Sequence, residues 1–535
     1  MSGSAADPET GRRSRATAAA VRPPNLGMVT LTTLFVSIMA TIDSTIVATC
    51  MPYMQGDLDA TPVTITWVLT MYNIGQAIGI GMTGRIARRW GRRTTMLAAV
   101  VGFVILSCVC GASTSLEGMV AARFLQGFFA APLIPLAQAT IVDAFPPERR
   151  ASGLAVWAMG VSLGPALGPT VGGLLAQHVD WRMAFYVNVP VGLVAAALTM
   201  LFVRETEHQR VRIDWTGALL VTLLVVPLQI ALDQGDTLDW FGSHVIVSLL
   251  GVAVVAGAAF ISRGLLVADN ILHLRLFADR SFTCCTLTIT LLCVLLFAYY
   301  TLYPILMVDM LRWQVDTAGI AMGSFGVAAV LGAFCSPRLG RRIGGRLTGL
   351  LGAAIAAIGA WLGTGINLDV SPSQAVVPGT IANFGFMMAY VQAATLAFRT
   401  VEPQDRDDAV AAFNFVKTIG LSIGVTVVST LIYRRPQAHW NVLGGEVTMA
   451  NPGLEAYLRA TGGAAGAWTP QAAAKLGDVV QAQSMLLSVV EIFHVLIFIA
   501  LAAGVTIVVS GQGLRPIKDA SAEADGEDAA AAAAG

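Results

Sequence analysis

The sequence predicts an all-α integral membrane protein with fourteen transmembrane helices, arranged as two pseudo-symmetric six-helix halves with a helix pair inserted between them. Three observations predict it. Of 535 residues, 55% are hydrophobic and only 12% charged, against about 25% charged in an average soluble domain. Apolar runs of about 20 residues recur along the whole chain, the length needed to cross a bilayer whose interior offers backbone groups no other hydrogen-bond partner. Arg-rich strings in the first part of the chain return in the second.

In order, the runs fall at 28–50, 63–83, 95–112, 117–141, 152–175, 183–203, 215–232, 244–262, 283–307, 317–335, 347–366, 374–398, 409–433 and 486–509. The first follows Arg12, Arg13, Arg15 and Arg22. It is too long for the apolar region of a signal peptide, and no A-x-A cleavage pattern precedes the next run, so it reads as a retained span. Alternate loops carry Arg85, Arg88, Arg89, Arg92 and Arg93, then Arg149 and Arg150, Arg204, Arg210 and Arg212, Arg263, Arg275 and Arg280, Arg338, Arg341, Arg342 and Arg346, and Arg399 and Arg406. The short loops of the other face hold only Arg182 and Arg312. An even number of spans puts both termini on one face, and the Arg excess marks that face as cytoplasmic.

The chain therefore divides into a six-helix half at 27–203, an inserted pair at 204–270 and a second half at 271–510. Residues 1–26 and 511–535 read as disordered cytoplasmic tails, the latter ending in Ala529 to Ala534. Segment 434–487, Ala/Gly-rich and polar, reads as a long periplasmic loop containing short helices. The repeat pairs Arg85, Arg88, Arg89, Gly91 and Arg93 with Arg338, Arg341, Arg342, Gly344 and Arg346. Pro147, Arg150, Gly164 and Gly168 recur as Pro403, Arg406, Gly420 and Gly424. A duplicated unit explains both, with chance likeness between Arg-rich loops as the alternative. Two such halves rocking about a midplane site form a transporter architecture.

Lys+Arg and Asp+Glu number 33 each, so no net charge drives binding to nucleic acid. The lysines are Lys417, Lys475 and Lys518, and none follows a glycine, which excludes the Gly-Lys-Ser/Thr cradle of a Walker A nucleotide site. The seven cysteines lie in apolar runs and the six histidines stand singly. No metal site, catalytic residue or cofactor is expected, and a proton is the natural coupling ion.

A charge buried in hydrocarbon is costly, so ionisable residues within the spans are candidate functional groups. Asp43 in the first span and Arg123 in the fourth fall at a similar depth, Asp43 about 10 Å below the outer surface at about 1.5 Å per residue. They can face each other, with Gln126 one turn deeper beside Arg123. Protonation of such a carboxylate breaks the pair and return of the arginine expels the proton, which is what proton coupling requires. A static structural ion pair would satisfy the same placement. Glu491 lies near the outer end of the last span, either as a second protonation site or as a solvated residue. Lys417, beside Asn414 and Thr418, reads as lining a central cavity. Gly160, Gly164, Gly168 and Gly172 recur every fourth residue in the fifth span, with Pro165, Pro169 and Gly173 among them. The glycines make a smooth face for a close neighbour, and each proline removes a backbone hydrogen bond. A generic small-residue packing face would explain the glycines alone.

At these residues the chain resembles the major facilitator superfamily, and within it the fourteen-span drug:proton antiporters of the EmrB/QacA type. Asp43-Ser44-Thr45-Ile46-Val47, closing at Pro52, looks like the family's D-x-T-[IV]-V motif, and Trp67 and Tyr72 also fit. Arg123, Gln126 and Gly127 match R-x-x-Q-G, Gly160 to Gly173 matches the antiporter motif, and Trp181-Arg182, Phe185, Asn188, Pro190 and Gly192 resemble the sixth-span motif. Similarity continues through Asp214-Trp215, Asp239-Trp240, Asn414 to Gly424 and Glu491-Ile492-Phe493.

One departure stands out. In the loop Gly84-Arg85-Ile86-Ala87-Arg88-Arg89-Trp90-Gly91-Arg92-Arg93, Arg88 occupies the position of the family's aspartate, so the usual charge relay of that loop cannot operate unchanged. EmrB-like members often lack that aspartate.

The resemblance implies a proton-driven exporter of amphipathic compounds in the inner membrane, working with a periplasmic membrane-fusion adaptor and an outer-membrane channel. In it Asp43, Arg123, Gln126 and Glu491 would couple protons, and Thr45, Trp67, Tyr72, Asn414 and Lys417 would line the substrate cavity. The glycine motif would seal the halves, and Gly84, Arg85, Arg88, Arg89, Gly91, Arg92 and Arg93 would latch the cytoplasmic side. An exporter of one endogenous metabolite or fatty acid, an importer, and a transport-inactive membrane sensor remain alternatives.

Overall fold

Lipid cannot hydrogen-bond a peptide group, so each apolar run must satisfy its own backbone by coiling. The computed structural model describes residues 25–61, 64–146, 149–206, 208, 214–266, 274–402, 406–447, 454 and 470–511. Its helices are α1 (Leu26–Asp57), α2 (Trp67–Trp90), α3 (Arg92–Gly111), α4 (Leu116–Ala144), α5 (Arg150–His178), α6 (Met183–Phe202), α7 (Trp215–Gln234) and α8 (His244–Leu266). Then follow α9 (Arg280–Met310), α10 (Val315–Ile343), α11 (Gly345–Gly363), α12 (Pro372–Ala397), α13 (Arg406–Gly445) and α14 (Pro470–Val509). Among the described residues, 11 helices are long and apolar enough to cross a membrane. The more polar or glycine-rich α2, α5 and α12 complete a set consistent with fourteen spans. The expected tails, together with Pro147 and Pro403, lie outside the described residues, apart from Asn25, Leu26 and Gly511 at their edges.

The duplication is visible in the packing order. In the first half α1 packs on α5, α2 on α4 and α3 on α6; in the second, α9 packs on α13, α10 on α12 and α11 on α14. The halves meet where α5 lies on α10 and α2 on α13, again equivalent pairs. Between them α7 leans on α2 and α13, and α8 packs chiefly on α7. Gly91 and Gly344, paired in the sequence repeat, turn α2 into α3 and α10 into α11 with φ of 85° and 90°. Only glycine enters that region without a Cβ penalty, so both halves use the same hinge chemistry.

Proline sets the breaks. α4 consists of Leu116–Ala130 and Leu133–Ala144, interrupted where Pro132 cannot donate to the helix ladder. In α9, Pro304 precedes a turn of wider helix at Ile305–Met310. The segment 434–487 differs from its expected form. α13 continues to Gly445 and α14 begins at Pro470, each 40 residues long, so much of the expected loop prolongs the spans. The stretch after Pro470 is rich in Ala, Gln and Leu, all strong helix formers, and proline suits the first helical position.

Candidate functional site

Asp43 on α1 and Arg123 on α4 are both fully buried, and they touch. Arg123 Nη1 donates to Asp43 Oδ2 at 2.8 Å and to Gln126 Oε1 at 2.7 Å. Gln126 Nε2 donates to Asp43 Oδ1 at 3.2 Å, and Asn188 Nδ2 on α6 donates to the same oxygen at 2.7 Å. Asn188 also donates to Ser107 Oγ on α3 at 3.0 Å, and Ser107 donates to the Phe185 carbonyl at 2.8 Å. The guanidinium lies over the Tyr72 ring, 4.0 Å from its centroid. Two neutral amides and one cation thus replace the hydration that Asp43 loses, which is the condition for keeping a carboxylate inside a membrane bundle.

The α5 glycines explain how α1 is held beside this network. A Cβ built at Gly164, Gly168 or Gly172 would overlap Thr41, Thr45 or Thr49, and one at Gly160 would overlap Leu34. Residues four apart on one helix face therefore meet residues four apart on the other. In the second half, Gly420 and Gly424 of α13 press in the same way on the carbonyls of Thr290 and Val294 of α9. Of the expected motif, the glycines at every fourth position face α1 within the first half, while α5 itself lies on α10 of the second. α5 runs as one helix through Pro165, Pro169 and Gly173.

A cavity of about 160 Å³ lies between the halves, bounded by α1, α2, α4, α5, α7, α9, α12 and α13. Its lining includes Ser44, Asn73 and Gln76 on one side, Gln229 and Asp233 on α7, and Phe297, Phe386, Tyr390 and Lys417 on the other. Lys417 Nζ donates to Asn414 Oδ1 at 2.6 Å, and Asn414 Nδ2 reaches across the halves to Gln138 Oε1 at 2.8 Å. On the Arg-rich face the halves are also joined by Arg88 to Asp408 at 2.8 Å and by Asp143, which takes Arg406 at 2.6 Å and Arg92 at 2.7 Å. The cavity is thus closed toward that face.

Of the expected cavity residues, Lys417 lines it and Asn414 stands one turn away. Thr45 faces α5, Tyr72 lies beneath Arg123, and Trp67 lines an apolar groove with Met71, Leu116 and Phe124. Those three belong to other surfaces of their helices than the one that meets the second half. Glu491 stands apart from Asp43, paired with Arg435 at 3.2 Å and His439 at 3.3 Å, its side chain 36% exposed. In the Arg-rich loop, Gly84 and Arg85 are buried and Arg89 is exposed. Glu205 takes the backbone N–H groups of Arg93 and Thr94 at 2.9 and 3.1 Å, capping α3.

Sequence reasoning missed Ser107, Gln138, Asp143, Asp233, Tyr390 and Asp408, and it gave Asn188 no role. The available signal was that acids standing at helix ends beside an Arg-rich string would pair with it. Asp233 fell one residue beyond the seventh apolar run.

The sequence pattern of the Major Facilitator Superfamily matches residues 33–425. The chain belongs to that superfamily. It is 31% identical over 492 residues to the multidrug export protein EmrB of Escherichia coli strain K12, covering 91% of this chain and 94% of EmrB. It is 32% identical over 428 residues to the fatty acid resistance protein FarB of Neisseria gonorrhoeae, covering 79% and 84%. The human organic anion transporter MFSD10 (TETRAN) shares the fold, with a TM-score of 0.57 at 15% identity over 89% of this chain and 100% of that one. The protein is thus a multi-pass major facilitator transporter similar to EmrB-type exporters. Within that frame the inter-half pair has the basic partner on α2, Arg88, and the acidic one, Asp408, on α13.

Proposed function

We propose that this major facilitator is a proton-driven antiporter that exports amphipathic and hydrophobic compounds across the inner membrane, with both termini cytoplasmic. The observation that carries the reading is the fully buried Asp43–Arg123 pair beside a cavity between the halves. A proton on Asp43 removes the charge that holds Arg123, and the guanidinium falls back on Gln126, the Val68 carbonyl and the Tyr72 ring. α1 presents Asp43 to this network and Thr41 and Ser44 to the cavity, so loosening the network moves a cavity wall. The ion pairs of Arg88 and Arg406 then open and close the cytoplasmic entrance. The names of EmrB and FarB, a multidrug exporter and a fatty acid resistance protein, support the export of amphipathic compounds. The projecting ends of α13 and α14 would dock a periplasmic membrane-fusion adaptor and, through it, an outer-membrane channel.

The test uses inverted membrane vesicles with an acidified interior and a pH-sensitive dye. Candidate compounds should release protons from vesicles holding the wild type and not from those holding Asp43→Asn at equal expression. Full activity in Asp43→Asn would sink the coupling role. Silence with every compound would favour an exporter of one endogenous metabolite.

A further inference from the structure

We propose that the central cavity takes its amphipathic substrate by an acidic head group, with Lys417 and Tyr390 as the two donors that receive it. The proposal rests on the exporter reading and adds the charge class of the cargo. Lys417 is 6% exposed, and its ammonium has one hydrogen bond, to the neutral amide oxygen of Asn414. Among the described residues no carboxylate lies within ion-pair distance of it. A buried cation with only a neutral partner is costly, and an anion beside it removes most of that cost. The Tyr390 hydroxyl, on the same cavity wall, is buried with no hydrogen-bond partner. An ammonium can only donate and a phenol donates readily, so their shared complement is an oxygen acceptor carrying negative charge. Phe297, Phe386 and Met387 supply an apolar wall for the rest of the molecule.

Among the described lining residues the one carboxylate, Asp233, sits at the other end. Gln229 Nε2 donates to Asp233 Oδ1 at 3.0 Å, and Ser422 Oγ donates to Gln229 Oε1 at 2.8 Å, which puts Gln229 and Ser422 at one level. Asp233 lies four residues outward of that level and Lys417 five residues inward, about 13 Å apart along the helices at about 1.5 Å per residue. The cavity is therefore dipolar, cationic toward the Arg-rich face. It favours a molecule whose acid points inward and whose tail points out.

The experiment measures equilibrium binding to the full chain in lipid nanodiscs at pH 8, with empty nanodiscs subtracted. The probes are decanoate, decanol and decyltrimethylammonium, which share a tail and differ in charge. Wild type should bind decanoate at least about tenfold more tightly than the other two, since one well-placed buried ion pair is worth about 1.4 kcal/mol or more. Lys417→Gln should erase that preference, Lys417→Arg should keep it within about threefold, and Tyr390→Phe should weaken decanoate alone. Equal binding of the three probes would overturn the proposal. So would preference for decyltrimethylammonium that Asp233→Asn abolishes. Should Lys417→Gln fail to fold, the wild-type ranking and Tyr390→Phe decide. Proton release by neutral or cationic compounds without decanoate preference would leave the exporter reading standing and remove only the head-group assignment. Decanoate preference without proton release would do the reverse.

Discussion

Asp43 is held by three donors, and they are unequal. Arg123→Ala leaves a buried carboxylate without its counter-charge, a loss of about 3–5 kcal/mol, whereas Asn188→Ala removes one bond to that charged group, about 1–3 kcal/mol. Thermal unfolding of the purified variants should rank them in that order, and equal destabilisation would mean that Arg123 is not the principal counter-charge. Asp43→Asn keeps the size and one acceptor oxygen, so it should reach the membrane at normal levels while losing proton exchange in vesicles. The charged pair was legible in the sequence because an ionised residue in an apolar run needs a partner. Tyr72, Asn188 and Ser107 were not legible as its neighbours. A neutral polar side chain reveals neither which face of its helix it occupies nor which helix that face meets.

Helix against helix, the contact of α5 with α1 leaves no room for a side-chain carbon. Gly164→Ala should lower the melting temperature and activity together, because the displaced neighbour includes the backbone of Thr41; overpacking of this kind costs about 1–3 kcal/mol. Gly420→Ala, pressing on the Thr290 carbonyl, should do the same in the other half, and a tolerant Gly420 would show that the repeats differ in rigidity. The inserted pair is tied at its Arg-rich end by Arg263, which donates to both oxygens of Asp214 at 2.6 and 2.8 Å. Burial pushes the Asp214 carboxyl up, but the Arg263 guanidinium and the Gly217 N–H outweigh it and hold the group below its ordinary 3.8. A depressed carboxyl contributes stability that is full above its unfolded pKa and lost as pH falls through the folded one. Acid should therefore loosen α7 from α8 only below about pH 4, and Asp214→Asn should flatten that limb of the stability curve. The spans themselves could be read from apolar length, since lipid dictates it. Their ends could not where the helix leaves the lipid, as in α13 and α14, because there ordinary helix propensity takes over.

For the molecule as a whole, the closure on the Arg-rich face is made of charges and is open to reversal. Arg88→Asp should weaken it, and adding Asp408→Arg should restore transport toward the wild type, with Arg88→Asp alone the slowest of the three. No rescue in the double variant would separate this ion pair from gating. Two pseudo-symmetric halves could be seen in the sequence through paired Arg and Gly positions. The charges that join the halves could not, because Arg88 with Asp408 and Asp143 with Arg406 each draw partners from opposite halves, which meet only once both are folded. The length of α14 has a mechanical consequence. At 40 residues it measures about 60 Å, roughly twice the hydrocarbon thickness. An arm standing about 30 Å clear of the lipid turns a tilt of about 10° in the second half into a sweep of about 5 Å at its tip. Whatever touches that tip would feel each turnover as a displacement, so the working cycle could be followed from outside the bilayer with a distance label on Ala473.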